Sequence, residues 1–155
     1  KMWSSSLAGI VGIKEEDTGD FQTTISLRMK ELAYSKILVL TYEKSFFRLV
    51  QAHFHIGKEY FRFKCYDQAL FHLESSLNKN VKAGPRQEVY IDLANKFYHS
   101  FILSYHGETL QALKKFKDAE GQLQKALNLQ EEYEENSKQV VNNVRTLTMY
   151  ALVRS

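Results

Sequence analysis

Apolar side chains recur at steps of three and four residues over most of this chain, which is the spacing of one face of an α-helix. The pattern predicts a first helix over 21–43, with apolar positions at Ile25, Met29, Leu32, Ala33, Ile37 and Leu40. Further helices are predicted over about 45–64, 66–78, 86–114, 116–134 and 137–155. No pair of alternating, strand-like segments separates them. We therefore expect an all-α domain of about six helices after an irregular lead-in over 1–20.

The clearest boundary in the chain is the stretch 78–85, where polar residues, Gly and Pro occur together. Pro85 suits the first turn of the next helix, because a proline there loses no hydrogen bond. Ser137 is a suitable N-cap for the last helix. In the lead-in, Asp17 and Asp20 are interpreted as a solvated turn and helix start, because the other ligand positions of a calcium-binding loop are missing.

Two segments of the chain, fifty residues apart, carry the same pattern. Gly57-x2-Tyr60-x5-Tyr66-x2-Ala69-x3-Leu73-x3-Leu77 returns as Gly107-x2-Leu110-x5-Phe116-x2-Ala119-x3-Leu123-x3-Leu127. A period of this length is typical of stacked helical repeats, whose concave surfaces bind other proteins. The alternative is a plain helical bundle in which the matching positions coincide by chance.

These spacings resemble those of the tetratricopeptide repeat (TPR), a helix-turn-helix unit of about 34 residues. The resemblance implies a right-handed α-solenoid with TPR-like units over 44–80 and 85–135. The helix over 21–43 would belong to a preceding incomplete repeat. The helix over 137–155 would begin a following repeat or cap the array. On this basis we expect the chain to be an excerpt from a longer array.

The resemblance also assigns packing roles to the repeated residues. Gly57 and Gly107 are expected where the paired helices approach most closely, because a side chain there would separate them. Ala69 and Ala119 would allow a second close contact. The remaining positions would fill the space between the helices or form the buried stripe of the second helix: Tyr60, Tyr66, Leu73, Leu77, Leu110, Phe116, Leu123 and Leu127.

The chain departs from the family pattern at several positions. His53 and Leu103 replace an aromatic residue near the start of each first helix, and Val81 and Glu131 stand where a closing proline is common. The long helix predicted over about 86–114 follows a proline-containing loop and so resembles the long first helices of kinesin light chain repeats, mainly through residues 85–89. That narrower resemblance suggests a cytoskeletal or motor-associated protein.

The TPR resemblance implies a partner-binding groove along the first helix of each pair. We expect a protein or linear peptide there, with an acidic group near Lys58 and Arg62 and an apolar anchor between Phe54 and Phe61. The alternative is that a flanking helix covers these aromatic residues as core. The groove positions are Gln51, Phe54, Lys58, Phe61 and Arg62 in the first copy, and Phe101, Ser104, Glu108, Gln111 and Ala112 in the second.

One known use of TPR grooves, the binding of a chaperone's C-terminal carboxylate, is disfavoured here. That clamp uses Lys, Asn and Arg side chains, whereas the equivalent positions hold Phe54, Lys58, Ser104 and Glu108. The asparagines are missing, and Glu108 would repel a carboxylate.

Catalytic and metal-binding patterns are weak, so we expect no enzyme, no cofactor and no metal site. His53 and His55 are two residues apart and point in different directions on a helix. His99 and His106 share a face, but no carboxylate one turn away completes a site. Cys65 is the only cysteine and has no recognisable activating partner. Neither a glycine-rich phosphate loop nor an HExxH helix is present.

A nucleic-acid partner is a weaker alternative. Residues 44–86 hold eight basic and three acidic side chains interleaved with aromatics, a combination able to bind single-stranded RNA. Residues 87–135 hold five basic and nine acidic side chains, so the basic patch is local. A net charge of +3 is too small to imply such a partner by itself, and no helix combines an apolar face with a consistently basic one, as membrane binding would need.

The predicted function is therefore that of a non-enzymatic scaffold or adaptor that holds a partner protein or peptide in a groove. A purely structural component of a large assembly is the alternative, and single-stranded RNA binding comes third. The lone cysteine, the absence of a recognisable signal peptide and the family resemblance favour a cytoplasmic location.

Overall fold

The computed structural model describes residues 20–41, 46–83 and 92–155, and the only regular elements in those ranges are helices. The prediction of an all-α chain is therefore confirmed. In chain order the helices are α1 (Phe21–Thr41), α2 (Phe46–Arg62), α3 (Tyr66–Ala83), α4 (Asp92–Ala112), α5 (Phe116–Ser137) and α6 (Val144–Arg154).

Helix α1 begins at a side-chain cap. The backbone N–H of Thr23 donates to Asp20 Oδ2 over 2.8 Å. A hydrogen bond from the Thr23 side chain, followed by this backbone one, lowers the pKa of the Asp20 carboxyl. Asp20 thus acts as an N-cap, in agreement with the helix-start interpretation. The end of the predicted first helix and the start of the second fall in residues 42–45, and the start of the predicted fourth helix falls in 86–91. Both segments lie outside the described ranges.

Two predicted helix boundaries were wrong. Helix α3 continues to Ala83 instead of ending near Asn78, because polar residues alone do not stop a helix. The last helix begins at Val144 instead of Ser137, because Lys138 takes a left-handed conformation that ends α5. The Ser137 hydroxyl does not cap α6 but accepts a hydrogen bond from the Gln139 N–H over 3.2 Å.

The chain divides into two compact units, Lys1–Ala83 and Gly84–Ser155. In unit 1, helix α2 packs on α3 and on α1. The α1–α2 core consists of Leu32, Leu49 and Ala52, with Val39 packed against it. In unit 2, helix α5 packs on α4 and on α6. Each unit therefore contains one pair of consecutive helices joined by a short turn: hairpin 1 (α2–α3) and hairpin 2 (α4–α5).

Candidate partner-binding surface

The turn of hairpin 1 is built by backbone hydrogen bonds around one left-handed residue. Lys64 has a φ of 65°, and its N–H donates to the Phe61 carbonyl over 3.0 Å. The Cys65 N–H donates to the Tyr60 carbonyl over 2.8 Å. This pair of bonds is a Schellman motif, which satisfies carbonyls that a helix end leaves unpaired.

Hairpin 2 repeats this turn bond for bond, fifty positions later. Lys114 has a φ of 65°, and its N–H donates to the Gln111 carbonyl over 2.9 Å. The Lys115 N–H donates to the Leu110 carbonyl over 2.8 Å. The sequence analysis missed both left-handed lysines because glycine is the usual signal of this conformation. The available signal was the recurrence of lysine at the same repeat position.

The repeated glycines lie at the predicted close approach. A Cβ added at Gly57 would lie 2.9 Å from Leu73 Cγ, and one added at Gly107 would lie 2.6 Å from Leu123 Cγ. These separations are too short for carbon atoms, so both positions accept only glycine without movement of the partner leucine. Each glycine therefore meets the leucine sixteen positions later, as the repeat pattern implies.

The other repeated positions differ in how far they are buried. Ala69, Leu73, Leu110, Ala119 and Leu123 are buried in the hairpin interfaces. Tyr60, Tyr66, Leu77 and Leu127 are half-buried. Phe116 is 47% exposed, so its ring does not fill the space between α4 and α5 as predicted.

In unit 1, the predicted groove residues form a surface that is more cationic than apolar. Phe54 is only 5% exposed, and Lys58 Nζ lies 5.1 Å from the centre of its ring. Phe61 is half-buried and meets Tyr66 edge-on. Arg62 is exposed, and its Nε lies 3.0 Å from Glu59 Oε1. Phe54 is therefore part of the packed structure.

Gln51, the fifth groove position of unit 1, is half-buried and engaged within its own helix. Its Oε1 accepts a hydrogen bond from Arg48 Nη1 over 3.0 Å. The accessible part of this predicted surface is thus concentrated toward the C-terminal end of α2, at Lys58, Phe61 and Arg62.

In unit 2, helix α6 covers part of the predicted groove. Ser104 Oγ lies 2.8 Å from Thr146 Oγ1, and both residues are buried. Glu108 is 4% exposed and accepts two hydrogen bonds from Arg145, over 2.7 and 2.9 Å. The bound carboxylate raises the pKa of the Arg145 guanidinium. Ser104 and Glu108 therefore hold the chain's own helix.

The remaining groove positions of unit 2 stay partly accessible. Phe101 is 37% exposed and meets Phe97 edge-on with ring centres 4.8 Å apart. Gln111 and Ala112 are half-buried at the end of α4. Unit 2 thus presents fewer charged groups at these positions than unit 1.

A charge network between α1 and α2 was not predicted from the sequence. Glu31 is 2% exposed and lies 3.1 Å from Arg28 Nη1 and 3.2 Å from His55 Nδ1. Arg28 Nε lies 3.9 Å from Glu59 Oε2. Burial alone would raise the pKa of the Glu31 carboxyl, but His55 and then Arg28 outweigh it and lower the pKa. Through Glu59 the network reaches Arg62, a predicted groove residue.

A buried histidine pair joins the helices of hairpin 1. His53 Nδ1 and His72 Nδ1 lie 3.2 Å apart, so one ring donates a hydrogen bond and the other accepts it. The His72 ring also stacks on Tyr60, with centres 5.7 Å apart. Burial, followed by the charge of Lys36, lowers the pKa of His72 to about 4. His53 and His55 indeed point in different directions, toward α3 and α1 respectively.

The remaining histidines and the cysteine that the sequence analysis considered have ordinary environments. His106 Nδ1 lies 2.9 Å from Gln122 Nε2, and burial followed by Lys125 lowers the pKa of His99. Cys65 is a half-buried free thiol. Within residues 20–41, 46–83 and 92–155, no three His, Cys, Asp or Glu side chains are placed to hold a metal ion. None of the helices in those ranges is long and apolar enough to cross a membrane.

Comparison with known proteins adds no relative to this picture. No family model, no curated protein sequence and no solved structure matches the chain.

Proposed function

We propose that this chain is a non-enzymatic protein-binding module built from TPR-like helical pairs that follow one another as a right-handed α-solenoid. The observation that supports it best is the identity of the two hairpins in the bonds that define them. Both have the same Schellman turn at a left-handed lysine and the same glycine-leucine contact, fifty residues apart. Helical repeats of this kind act as scaffolds or adaptors, which is the role we assign to the chain.

The surface we assign to the partner is the C-terminal half of α2, at Lys58, Phe61 and Arg62. Two cations beside a half-buried aromatic ring favour a peptide that carries an acidic side chain next to an apolar one. Phe54 supports this surface from below because Lys58 lies over its ring. A cytoplasmic partner, including a cytoskeletal protein, fits the expected location of the chain.

A selection from a random peptide library displayed on phage tests the proposal. We expect the immobilised chain to enrich peptides with Asp or Glu next to a large apolar residue. Charge reversal at the surface, Lys58→Glu with Arg62→Glu, should abolish that enrichment. The matched control is Lys117→Glu with Lys125→Glu, which reverses the same charge at exposed positions of α5 in unit 2.

The outcome of the selection discriminates between the candidate functions. Equal enrichment by both double variants, with both shown by circular dichroism to be folded, would place binding elsewhere. Selection of no peptide, together with salt-dependent binding of single-stranded RNA, would replace the protein partner by a nucleic acid.

A purely structural role in a larger assembly is the second candidate, favoured by exposed apolar side chains in and before α6. Val140 is 95% exposed, Val144 66% and Leu152 53%. Exposed apolar residues on one element mark an interaction site when they are contiguous. If the chain has this structural role, the tagged chain should co-sediment with a large complex from cell extract. The double variant Val144→Ser with Leu152→Ser should no longer co-sediment, whereas the set of peptides selected from the library should stay the same.

A further inference from the structure

Helix α1 exposes an apolar face. Met29, Ala33, Ile37 and Leu40 are spaced by four, four and three residues and so share one side of the helix. Met29 is 42% exposed, Ile37 58% and Leu40 85%, and Ala33 is exposed as well. All four were predicted from their spacing to be part of a packing stripe, yet only Ile25 and Leu32 of that stripe are buried.

The contact of α1 with α2 uses another side of the helix, which is partly polar. Glu31, Leu32 and Ser35 are buried there, and Glu31 meets His55 across the interface. An amphipathic helix normally buries its apolar side and exposes its polar side. Helix α1 therefore has a second side suited to burial, opposite the one that α2 covers.

The lead-in contains a segment of matching chemistry. Leu7–Ile13 reads Leu-Ala-Gly-Ile-Val-Gly-Ile, with no charged or polar side chain among its seven residues. Seven further residues, 14–20, connect it to the start of α1. At ~3.3 Å per residue this connection reaches about 23 Å. Met29 lies eight residues into α1, which is about 12 Å along its axis.

The same arithmetic extends over the whole apolar face. From Met29 to Leu40 the helix advances about 16 Å. Seven residues span about 10 Å as a helix and about 23 Å as an extended chain, so Leu7–Ile13 matches the face when it runs antiparallel to α1. A tethered segment also has a high effective concentration at its own helix, which a separate molecule lacks.

Charge favours this occupant over a second copy of the chain. Exposed lysines, Lys30 and Lys36, lie at the two edges of the apolar face. The connection carries the acidic run Glu15–Asp17, which comes within reach of Lys30. A second α1 would instead bring lysines against lysines, which is unfavourable at close range.

We propose that Leu7–Ile13 packs on the apolar face of α1, formed by Met29, Ala33, Ile37 and Leu40, with the acidic run Glu15–Asp17 near Lys30. The lead-in then acts as an internal ligand of unit 1. The stability of α1 depends on it, although the contacts of α1 with α2 do not involve it.

A double-mutant cycle in the full chain tests this packing, with hydrogen exchange of the α1 amides as the readout. We expect Ile10→Ser and Ile37→Ser each to lower α1 protection about tenfold. Their combination should lower it no further, because both remove the same contact. The control is Leu152→Ser, a similar change at a 53% exposed leucine of α6, which by itself should leave α1 protection unchanged. Combined with Ile10→Ser, it should give only the loss that Ile10→Ser causes alone. Unchanged protection in Ile37→Ser, or additive effects of Ile10→Ser and Ile37→Ser, would overturn the proposal.

A disulfide test identifies the occupant directly. In a Cys65→Ser background, Ile10→Cys with Ile37→Cys should oxidise to an intramolecular disulfide in dilute solution, because packed side chains bring the two Cβ atoms within bonding range. Failure to cross-link would contradict the packing. A disulfide dimer whose yield rises with concentration would assign the face to a second copy of the chain instead.

Discussion

Hairpin 1 and hairpin 2 share a backbone design but differ in the side chains that occupy it. Both turn at a left-handed lysine, and both bring a glycine against a leucine. At position 58 of hairpin 1 a lysine lies over Phe54, whereas the equivalent Glu108 is buried under Arg145 of α6. The hairpin geometry therefore depends on few residues, whereas the outward face of the first helix differs between the two hairpins.

The helix interfaces inside the hairpins differ as well. His53 and His72 form a buried pair in hairpin 1, whereas hairpin 2 has Leu103 and Gln122 at the equivalent positions. Gln122 bonds to His106 on the neighbouring helix. Thus hairpin 1 has a histidine pair in which burial lowers the pKa of His72 to about 4, and hairpin 2 has no histidine at these two positions.

The largest expected effect concerns the feature that the hairpins share. Gly107→Val should destabilise unit 2 by about 3 kcal/mol and Gly57→Val should destabilise unit 1 by about 2 kcal/mol, because the new side chains overlap Leu123 and Leu73. The effect is larger at Gly107 because a Cβ there would lie 2.6 Å from leucine Cγ, against 2.9 Å at Gly57. Urea unfolding followed by NMR signals from each unit measures both changes.

Gly121 provides the matched control for these substitutions. It also lies in a helix, but a Cβ added there meets no atom within 4 Å. Gly121→Val should change stability by less than ~0.5 kcal/mol. A loss at Gly121 equal to that at Gly107 would show that the close approach does not explain the effect, since helix propensity alone favours valine over glycine.

A smaller effect, about 2 kcal/mol, is the loss of unit 1 stability that we expect on acidification. The folded state holds the pKa of His72 at about 4, below its ordinary value of 6.5. Between these values an unfolded His72 binds a proton that the folded one does not, so stability falls as the pH drops from 6.5 to 4. The pKa of His99 in hairpin 2 is also lowered, through burial and Lys125, so unit 2 weakens in the same direction.

Substitution isolates the contribution of the histidine pair. His53→Leu with His72→Gln reproduces the residues of hairpin 2 and should remove most of the pH dependence of unit 1. Thermal unfolding at pH 7, 5.5 and 4.5, followed by NMR signals from each unit, measures it. A unit 1 whose pH dependence survives this double substitution would assign the effect to another group, of which Glu31 is the first to examine because its carboxyl pKa is lowered as well.

The smallest expected effect is a gain, equal in the two hairpins. Lys64→Gly and Lys114→Gly should each stabilise their own unit by about 1 kcal/mol, because glycine takes the left-handed conformation without a steric cost. Lys115→Gly, next to the turn, should not stabilise. Unequal gains at Lys64 and Lys114 would show that the two turns are less alike than their hydrogen bonds indicate.

The helices were predictable because they depend on local spacing, and the close contacts within each hairpin were expected from the resemblance of the repeated positions to the TPR pattern. Gly57 and Gly107 stood out from the repeat alone, and the structure places each against the leucine sixteen positions later. The end of α5 was not predictable, because a left-handed Lys138 has no signal in the sequence. Nor was the exposure of Phe116, since an aromatic at a packing position need not point inward.

The candidate surface was predictable in its position on the helix but not in its accessibility. Helical spacing alone places Phe54, Lys58 and Phe61 on one side of α2. It carries no information about which neighbouring element covers that side, and Phe54 proved to be buried.

The sequence by itself determined the helical periodicity, the repeat and the two positions where only glycine fits. The tertiary structure decided which outward faces are occupied, such as the burial of Glu108 under Arg145 and the exposure of Ile37 on α1. The physical reason is the range of the interactions. Helix formation and hairpin turns depend on residues within a few positions, whereas the burial of a helix face depends on elements distant in sequence that bring apolar surface or an opposite charge to it.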